Sequence, residues 1–107
     1  STGTVNQNRR KAEVDTLRKI TDALPTGSNF IVCGDFNIYS ANEPAYTTLL
    51  QVNSGKNGEF NDAINITGTW NNSSYAAHHT QSPRDVAFNG GASGGMDDRF
   101  DLILENI

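Results

Sequence analysis

Phe30-Ile31-Val32-Cys33-Gly34-Asp35-Phe36-Asn37 is the stretch on which the reading of this chain turns. Its apolar half is bounded by Gly27 and Gly34, is too short for a helix and is rich in strand formers, so it reads as a strand over Asn29–Cys33. The absence of alternation implies burial on both faces. Cys33, inside that run, then reads as a small buried hydrophobe. Polar residues directly after a buried strand sit at the carboxyl end of the sheet, where open α/β folds place ligands. Positions i and i+2 of an extended segment point the same way, so Asp35 and Asn37 are expected to project into one pocket. The carboxylate suits a hard divalent cation or a water to be oriented, and the amide suits a phosphate oxygen. Gly34 would let backbone or substrate approach closely. Gly-Asp-x-Asn is also ordinary turn chemistry, and on those four residues alone the turn is the better reading.

Working outward, Asn8 to Leu24 reads as an amphipathic helix. Val14, Leu17, Ile20 and Leu24 form its inner stripe, with Arg9, Arg10, Lys11, Lys19 and Asp22 facing water. Pro25 and Gly27 end it. A shorter helix is expected from Glu43 to Val52, because Ser40-Ala41-Asn42-Glu43 has capping-box spacing and Pro44 suits a first turn. Tyr46, Leu49 and Leu50 would be its inner face. Asn53 to Gly58 is loop, Phe60 to Ile66 is mixed with a turn or short helix around Asp62-Ala63, and Gly68 to Gly95 holds at most one or two short strands. Arg99 to Leu104 reads as a final strand. A single central strand cannot make a sheet with so distant a strand unaided, so the fold reads as incomplete, with more strands expected beyond both ends.

Composition narrows the function. The chain has 107 residues, 36% hydrophobic and 19% charged, with a net charge of −4. A bare nucleic-acid-binding module would be basic, so non-specific binding to nucleic acid is disfavoured. A hydrolase whose metal ion supplies the positive charge at phosphate is not. With Cys33 the single cysteine, no intrachain disulfide can form. No stretch has transmembrane length. Asn/Gly-rich loops and scarce cysteine fit a secreted or periplasmic bacterial protein, a compositional match only.

Three segments together carry a resemblance: Phe30 to Asn37, Glu43-Pro44-Ala45-Tyr46, and Asp98-Arg99-Phe100-Asp101-Leu102-Ile103-Leu104. They resemble the second half of the endonuclease/exonuclease/phosphatase superfamily, which includes DNases, apurinic/apyrimidinic endonucleases, sphingomyelinases and inositol polyphosphate phosphatases. The resemblance implies an α/β (α+β) fold that is part of a four-layer α/β/β/α sandwich, with residues 1–107 a partial domain. It implies Mg²⁺ or Mn²⁺ in the intact enzyme and a nucleic acid or another phosphodiester as substrate. Asp35 resembles the aspartate that activates water near the metal, Asn37 the asparagine on the scissile phosphate, and Asp101 the aspartate that orients a catalytic histidine. The charge of Asp101, between Phe100 and Leu102 on a strand, in any case needs a partner. The family's metal-binding glutamate and its catalytic histidines have no counterpart in the matched segments. The chain alone is therefore expected to be inactive, and to expose an apolar sheet face and open strand edges for a missing amino-terminal half or a second copy.

Other polar residues are candidates of a different kind. His78, His79, Thr80, Gln81 and Arg84 lie where the family has loops beside its cleft, and substrate contact and a solvated loop account for them equally. The two adjacent histidines have no further ligand at metal-site spacing. Gly90-Gly91-Ala92-Ser93-Gly94-Gly95 lacks the Lys-Ser/Thr pair of a phosphate-binding loop and reads as a lead into the last strand. Asp62 is expected to make a structural hydrogen bond, Asp98 or Arg99 to pair with neighbouring structure, and Trp70 and Tyr75 to serve aromatic packing.

Overall fold

The computed structural model describes residues 2–81, 84, 86 and 95–106. The chain runs α1 (Thr4–Asp22), β1 (Ile31–Asp35), α2 (Pro44–Leu50), β2 (Phe60–Asn61), a 3₁₀ helix (Ser73–His78) and β3 (Asp101–Asn106). The strands form one antiparallel sheet in the order β1-β3-β2. This is an α+β arrangement. β3 lies in the middle and pairs with β1 directly, contrary to the expectation that the two could not make a sheet unaided. Loop-closure entropy grows slowly with length, so a long connection is no obstacle to the pairing. Residues 90–94 of the glycine-rich stretch lie outside the described residues.

The inner stripe of α1 differs from the sequence expectation. Its buried residues are Arg10, Val14, Arg18 and Thr21, a run at helical spacing, while Ile20 and Leu24 are exposed. The reason lies on α2, which offers acceptors where α1 crosses it. Arg10 donates through Nε to Glu43 Oε2 at 2.6 Å and through Nη2 to Oε1 at 2.9 Å. Arg18 Nη1 donates to the carbonyls of Thr48 and Leu49, in the last turn of α2, where carbonyls have no partner within the helix. The arginine stems cover apolar surface while their heads are satisfied. Arg10 is thus not the water-facing residue expected.

Glu43 is the N-cap of α2, with Pro44 in the first turn as expected, but its side chain makes no capping bond. It turns to Arg10 instead, and the backbone N–H of Tyr39 also donates to it at 3.3 Å. The predicted capping box is therefore absent; the buried ion pair outcompetes it. At the other end of α1, Gly58 packs so closely on Thr21 and Asp22 that a β-carbon there would collide with their atoms. Thr21 Oγ1 donates to Gly58 O at 2.8 Å, and Asp22 accepts from Gly58 N and Asn53 Nδ2.

The sheet has one buried and one exposed face. The register sets Val32 against Leu104 and Gly34 against Leu102, and both leucines are buried with Phe60, Ile38, Leu49 and Trp70. Opposite residues share a face, so Ile31, Cys33 and Asp35 lie with Glu105, Ile103 and Asp101 on the other side. Ile31 is 70% exposed and Ile103 74%, and Cys33 is exposed as well. The predicted two-sided burial of β1, and of Cys33 in it, is overturned: the helices cover only one face. The expected exposed face is present, but it is mixed: Ile31, Cys33 and Ile103 share it with Asp35, Asp101 and Glu105.

A polar hub holds this core. Arg99 donates from Nη1 to Asp62 Oδ2 at 2.8 Å and from Nη2 to Oδ1 at 2.9 Å, and the Tyr46 hydroxyl donates to Oδ2 at 2.6 Å. Arg99 also lies 5.0 Å from the Trp70 ring centroid, and Trp70 meets Tyr46 edge-on. Asp62 and Arg99 are almost fully buried, which answers both expectations of structural pairing. Burial pushes the Asp62 carboxyl up, but the bonds from Arg99 and Tyr46 outweigh it and bring its pKa down to about 2. The Tyr46 hydroxyl is pushed up, by burial first and then by Asp62.

A carboxyl depressed in the folded state stabilises above its unfolded pKa, and the gain is lost as pH falls through the folded value. Asp62 should therefore contribute roughly 2 kcal/mol at neutral pH, disappearing as pH falls from about 4 toward 2. Arg99→Met should lower stability by about 3–5 kcal/mol, because it strands a buried carboxylate. Urea denaturation followed by tryptophan fluorescence at pH 7 and across the acid range measures both.

Candidate functional site

The β1–β3 register sets Asp35 directly opposite Asp101. Phe36 N donates to Phe100 O at 2.8 Å and Asn106 N to Phe30 O at 3.1 Å. Those bonds fix the parity, so Asp35 and Asp101 form a non-hydrogen-bonded pair, the kind in which side chains stand closer, with Cα atoms about 4.5 Å apart. Both are exposed, at the end of the sheet where β1 finishes. Two like charges directly opposite on a sheet are unfavourable, and they are natural ligands for a cation.

Asn37 joins this pair through a turn, not through extended geometry. β1 ends at Asp35, and Asn37 has φ 51°, in the left-handed region that asparagine tolerates. Its backbone N–H donates to Asp35 Oδ1 at 2.9 Å, closing an Asx turn. The turn reading of Gly-Asp-x-Asn is thus borne out, and the turn holds one oxygen of the carboxylate. Gly34 has φ 155°, and a β-carbon there would meet nothing within 4 Å. Its conformation, not a close approach within the described chain, is what favours glycine.

β3 is anchored beside the pair by the segment after the 3₁₀ helix. Asp101 N donates to Thr80 Oγ1 at 2.9 Å, and Thr80 N to Asp98 O at 3.0 Å. Thr80 therefore positions Asp101 in addition to any contact with substrate. His79 is buried, with Nε2 2.7 Å from Trp70 O and Nδ1 3.1 Å from Met96 O. Its ring bridges two backbone segments, a structural role that the solvated-loop alternative did not foresee. His78 ends the 3₁₀ helix and is exposed. Arg84 is exposed, and its carbonyl accepts from Gly95 N at 2.8 Å.

Residues that sequence reasoning passed over complete the surroundings. Tyr39 packs edge-on against Phe100 at 4.9 Å and lies beneath the Arg10 guanidinium at 5.4 Å. Burial raises its hydroxyl, and the charges of Asp98, Glu43 and Asp35 add to that against Arg10. Tyr39 therefore lies within the field of both Asp35 and Asp98. Asp98 is buried, and its Oδ1 has no hydrogen-bond partner. Burial raises its carboxyl first, then Asp97, with His79 acting in the opposite direction. The only sequence signal for Tyr39 was its place two residues after Asn37. Arg10 carried none that separated it from a solvated charge, and Asp98 was expected only as one of two residues to pair with neighbouring structure.

Among the described residues no group of three or more histidine, cysteine or acidic side chains is placed to hold a metal ion. The facing carboxylates Asp35 and Asp101 are a two-donor oxygen set. That set fits Mg²⁺, which keeps most of its waters and is held by one or two carboxylates together with substrate phosphates. No family model, curated protein or solved structure matched the chain.

Removing one charge of the facing pair should relieve repulsion. Asp101→Asn is expected to raise the urea midpoint at neutral pH and low salt by a few tenths of a molar, a gain that high salt screens away. A midpoint that falls instead would show that Asp101 has a stabilising partner.

Proposed function

We propose that this chain is part of a metal-dependent phosphoesterase, nuclease-like, that cleaves phosphodiester bonds by attack of water on phosphorus. The observation that carries the reading is the Asp35–Asp101 pair, with Asn37 tethered to it, at an exposed end of the sheet. Asp35, with one oxygen held by the turn, keeps the other for orienting the water. The Asn37 side chain offers its amide to a phosphate oxygen. Asp101, steadied by Thr80, orients the histidine that the resemblance calls for. A bound Mg²⁺ or Mn²⁺ would neutralise charge building on the phosphate oxygens.

On this reading the exposed face bearing Ile31 and Ile103 packs against a second sheet, as in a four-layer α/β/β/α sandwich. The metal-binding glutamate and catalytic histidine come from outside these 107 residues, and the chain alone hydrolyses nothing. Its acidity accords with a metal-assisted hydrolase better than with a binding module that grips phosphates through arginine and lysine.

Two measurements test this. Mg²⁺ added to the ¹⁵N-labelled chain should shift the amides of Asp35, Asn37 and Asp101, and Asp35→Asn should abolish those shifts. The full-length protein, with Mg²⁺, should cleave bis-p-nitrophenyl phosphate and one of plasmid DNA, RNA, sphingomyelin or a sugar phosphate. Asp35→Asn should reduce kcat/KM by roughly 10²-fold or more with an unchanged circular dichroism spectrum. Full activity in that variant would remove Asp35 from the chemistry.

A further inference from the structure

His79 is bonded in a way that one form of its ring alone satisfies. The ring is buried, with Nε2 2.7 Å from Trp70 O and Nδ1 3.1 Å from Met96 O. A carbonyl oxygen only accepts. A neutral imidazole has a single N–H, so it donates to one of these oxygens and turns the lone pair of its other nitrogen on the second. Two acceptors set against each other in a buried place are unfavourable. The imidazolium donates on both sides.

A buried cation needs a counter-charge. Asp98 is buried, its Oδ1 has no hydrogen-bond partner, and His79 lies within its field. The other charged and titratable groups around the ring are engaged elsewhere or stand in solvent. Arg99 and Tyr46, on the Trp70 side, are both bonded to Asp62. Asp97 and His78 are exposed.

The ring also sits at a mechanical junction. Residues 96–98 lead into β3, and they are tied to residues 79–81 by three contacts. One is His79 Nδ1 with Met96 O; the others run from Thr80 N and Gln81 N to Asp98 O, at 3.0 and 3.3 Å. Asp101 N then donates to Thr80 Oγ1. Through Nε2 the same ring fastens these segments to Trp70, which stacks beneath Arg99.

We propose that His79 is held as an imidazolium in the folded chain, balanced by Asp98, and that it is a positioning residue for Asp101. Its two donated bonds clamp the loop that holds the Thr80 hydroxyl against the Asp101 amide. Loss of one proton frees one carbonyl and lets Thr80 and Asp101 shift together. What the clamp does for hydrolysis rests on the phosphoesterase reading; the clamp itself does not.

Long-range ¹H–¹⁵N spectra of the ¹⁵N-labelled chain report the protonation of each ring nitrogen, and His78→Ala assigns the two histidines. At neutral pH both nitrogens of His79 should be of the protonated type. On raising the pH, one should convert to the lone-pair type, and the Thr80 and Asp101 amides should shift with the same midpoint, in a range where free carboxylates no longer titrate. Asp98→Asn should move that midpoint to lower pH, because the counter-charge is gone. His79→Gln, which keeps a donor and loses the charge, should abolish the pH-dependent shift of the two amides. A lone-pair nitrogen in His79 at neutral pH would overturn the proposal. So would a ring titration that leaves the Asp101 amide where it was, or a midpoint unmoved by Asp98→Asn. The first two are read on the unaltered chain, so the test stands even where a variant fails to fold. None of these readouts uses metal or activity, so failure here leaves the phosphoesterase reading standing, and the reverse.

Discussion

The bidentate contact between Arg99 and Asp62 is the interaction on which the rest of this fold depends. It joins the residue just before β3 to the turn just after β2, positions 37 apart in sequence. The Tyr46 hydroxyl brings α2 to the same carboxylate, and the Trp70 ring stacks beneath the guanidinium. Four segments with little regular structure between them thus meet at one buried charge pair. A pair of this kind adds little net stability compared with an apolar core, because desolvation consumes most of the Coulomb gain. What it adds is location: β3 can begin at one place only, because Arg99 has one carboxylate to reach.

That constraint reaches the candidate site. With Leu102 and Leu104 in the core, strand alternation turns Asp101 outward, and the register with β1 sets it opposite Asp35. A slip of one residue would carry Leu102 and Leu104 out of the core and Asp101 into it. The two buried leucines therefore enforce the juxtaposition of two exposed carboxylates that repel each other. Stabilisation in the core sustains an unfavourable arrangement at the surface, the kind of local cost associated with ligand sites.

The second buried pair, Arg10 with Glu43, acts similarly for the helices. It sets α1 across the N-terminus of α2 and places Tyr39 under the guanidinium. Tyr39 in turn supports Phe100, next to Asp101. The two ion pairs thus reach the segment that carries Asp101 through different neighbours. Only one face of the sheet is covered in the process. The other keeps Ile31 and Ile103 in contact with solvent, and among the described residues no strand pairs with the outer edge of β1.

Much of the local structure was legible in the residues themselves. Apolar spacing marked α1, Pro44 marked the start of α2, and the β-branched run marked β1, because backbone preference and period are properties of neighbouring residues. Gly-Asp-x-Asn was legible as a turn, since the Asx turn that forms it lies within three residues. Tertiary structure decided the face on which each element is buried. Arg10 and Arg18 replaced Ile20 and Leu24 inside because α2 supplied acceptors for their charged heads, and no pattern within α1 reports an acceptor more than twenty residues away. In the same way Cys33 turned outward and Asp101 came to face Asp35, through a strand pairing that spans most of the chain. The sequence by itself determined α1, α2, β1 and the last strand, and the residue types of the candidate site. Which side chains stand together there was a matter of long-range register and buried charge pairing, which only the folded chain brings about.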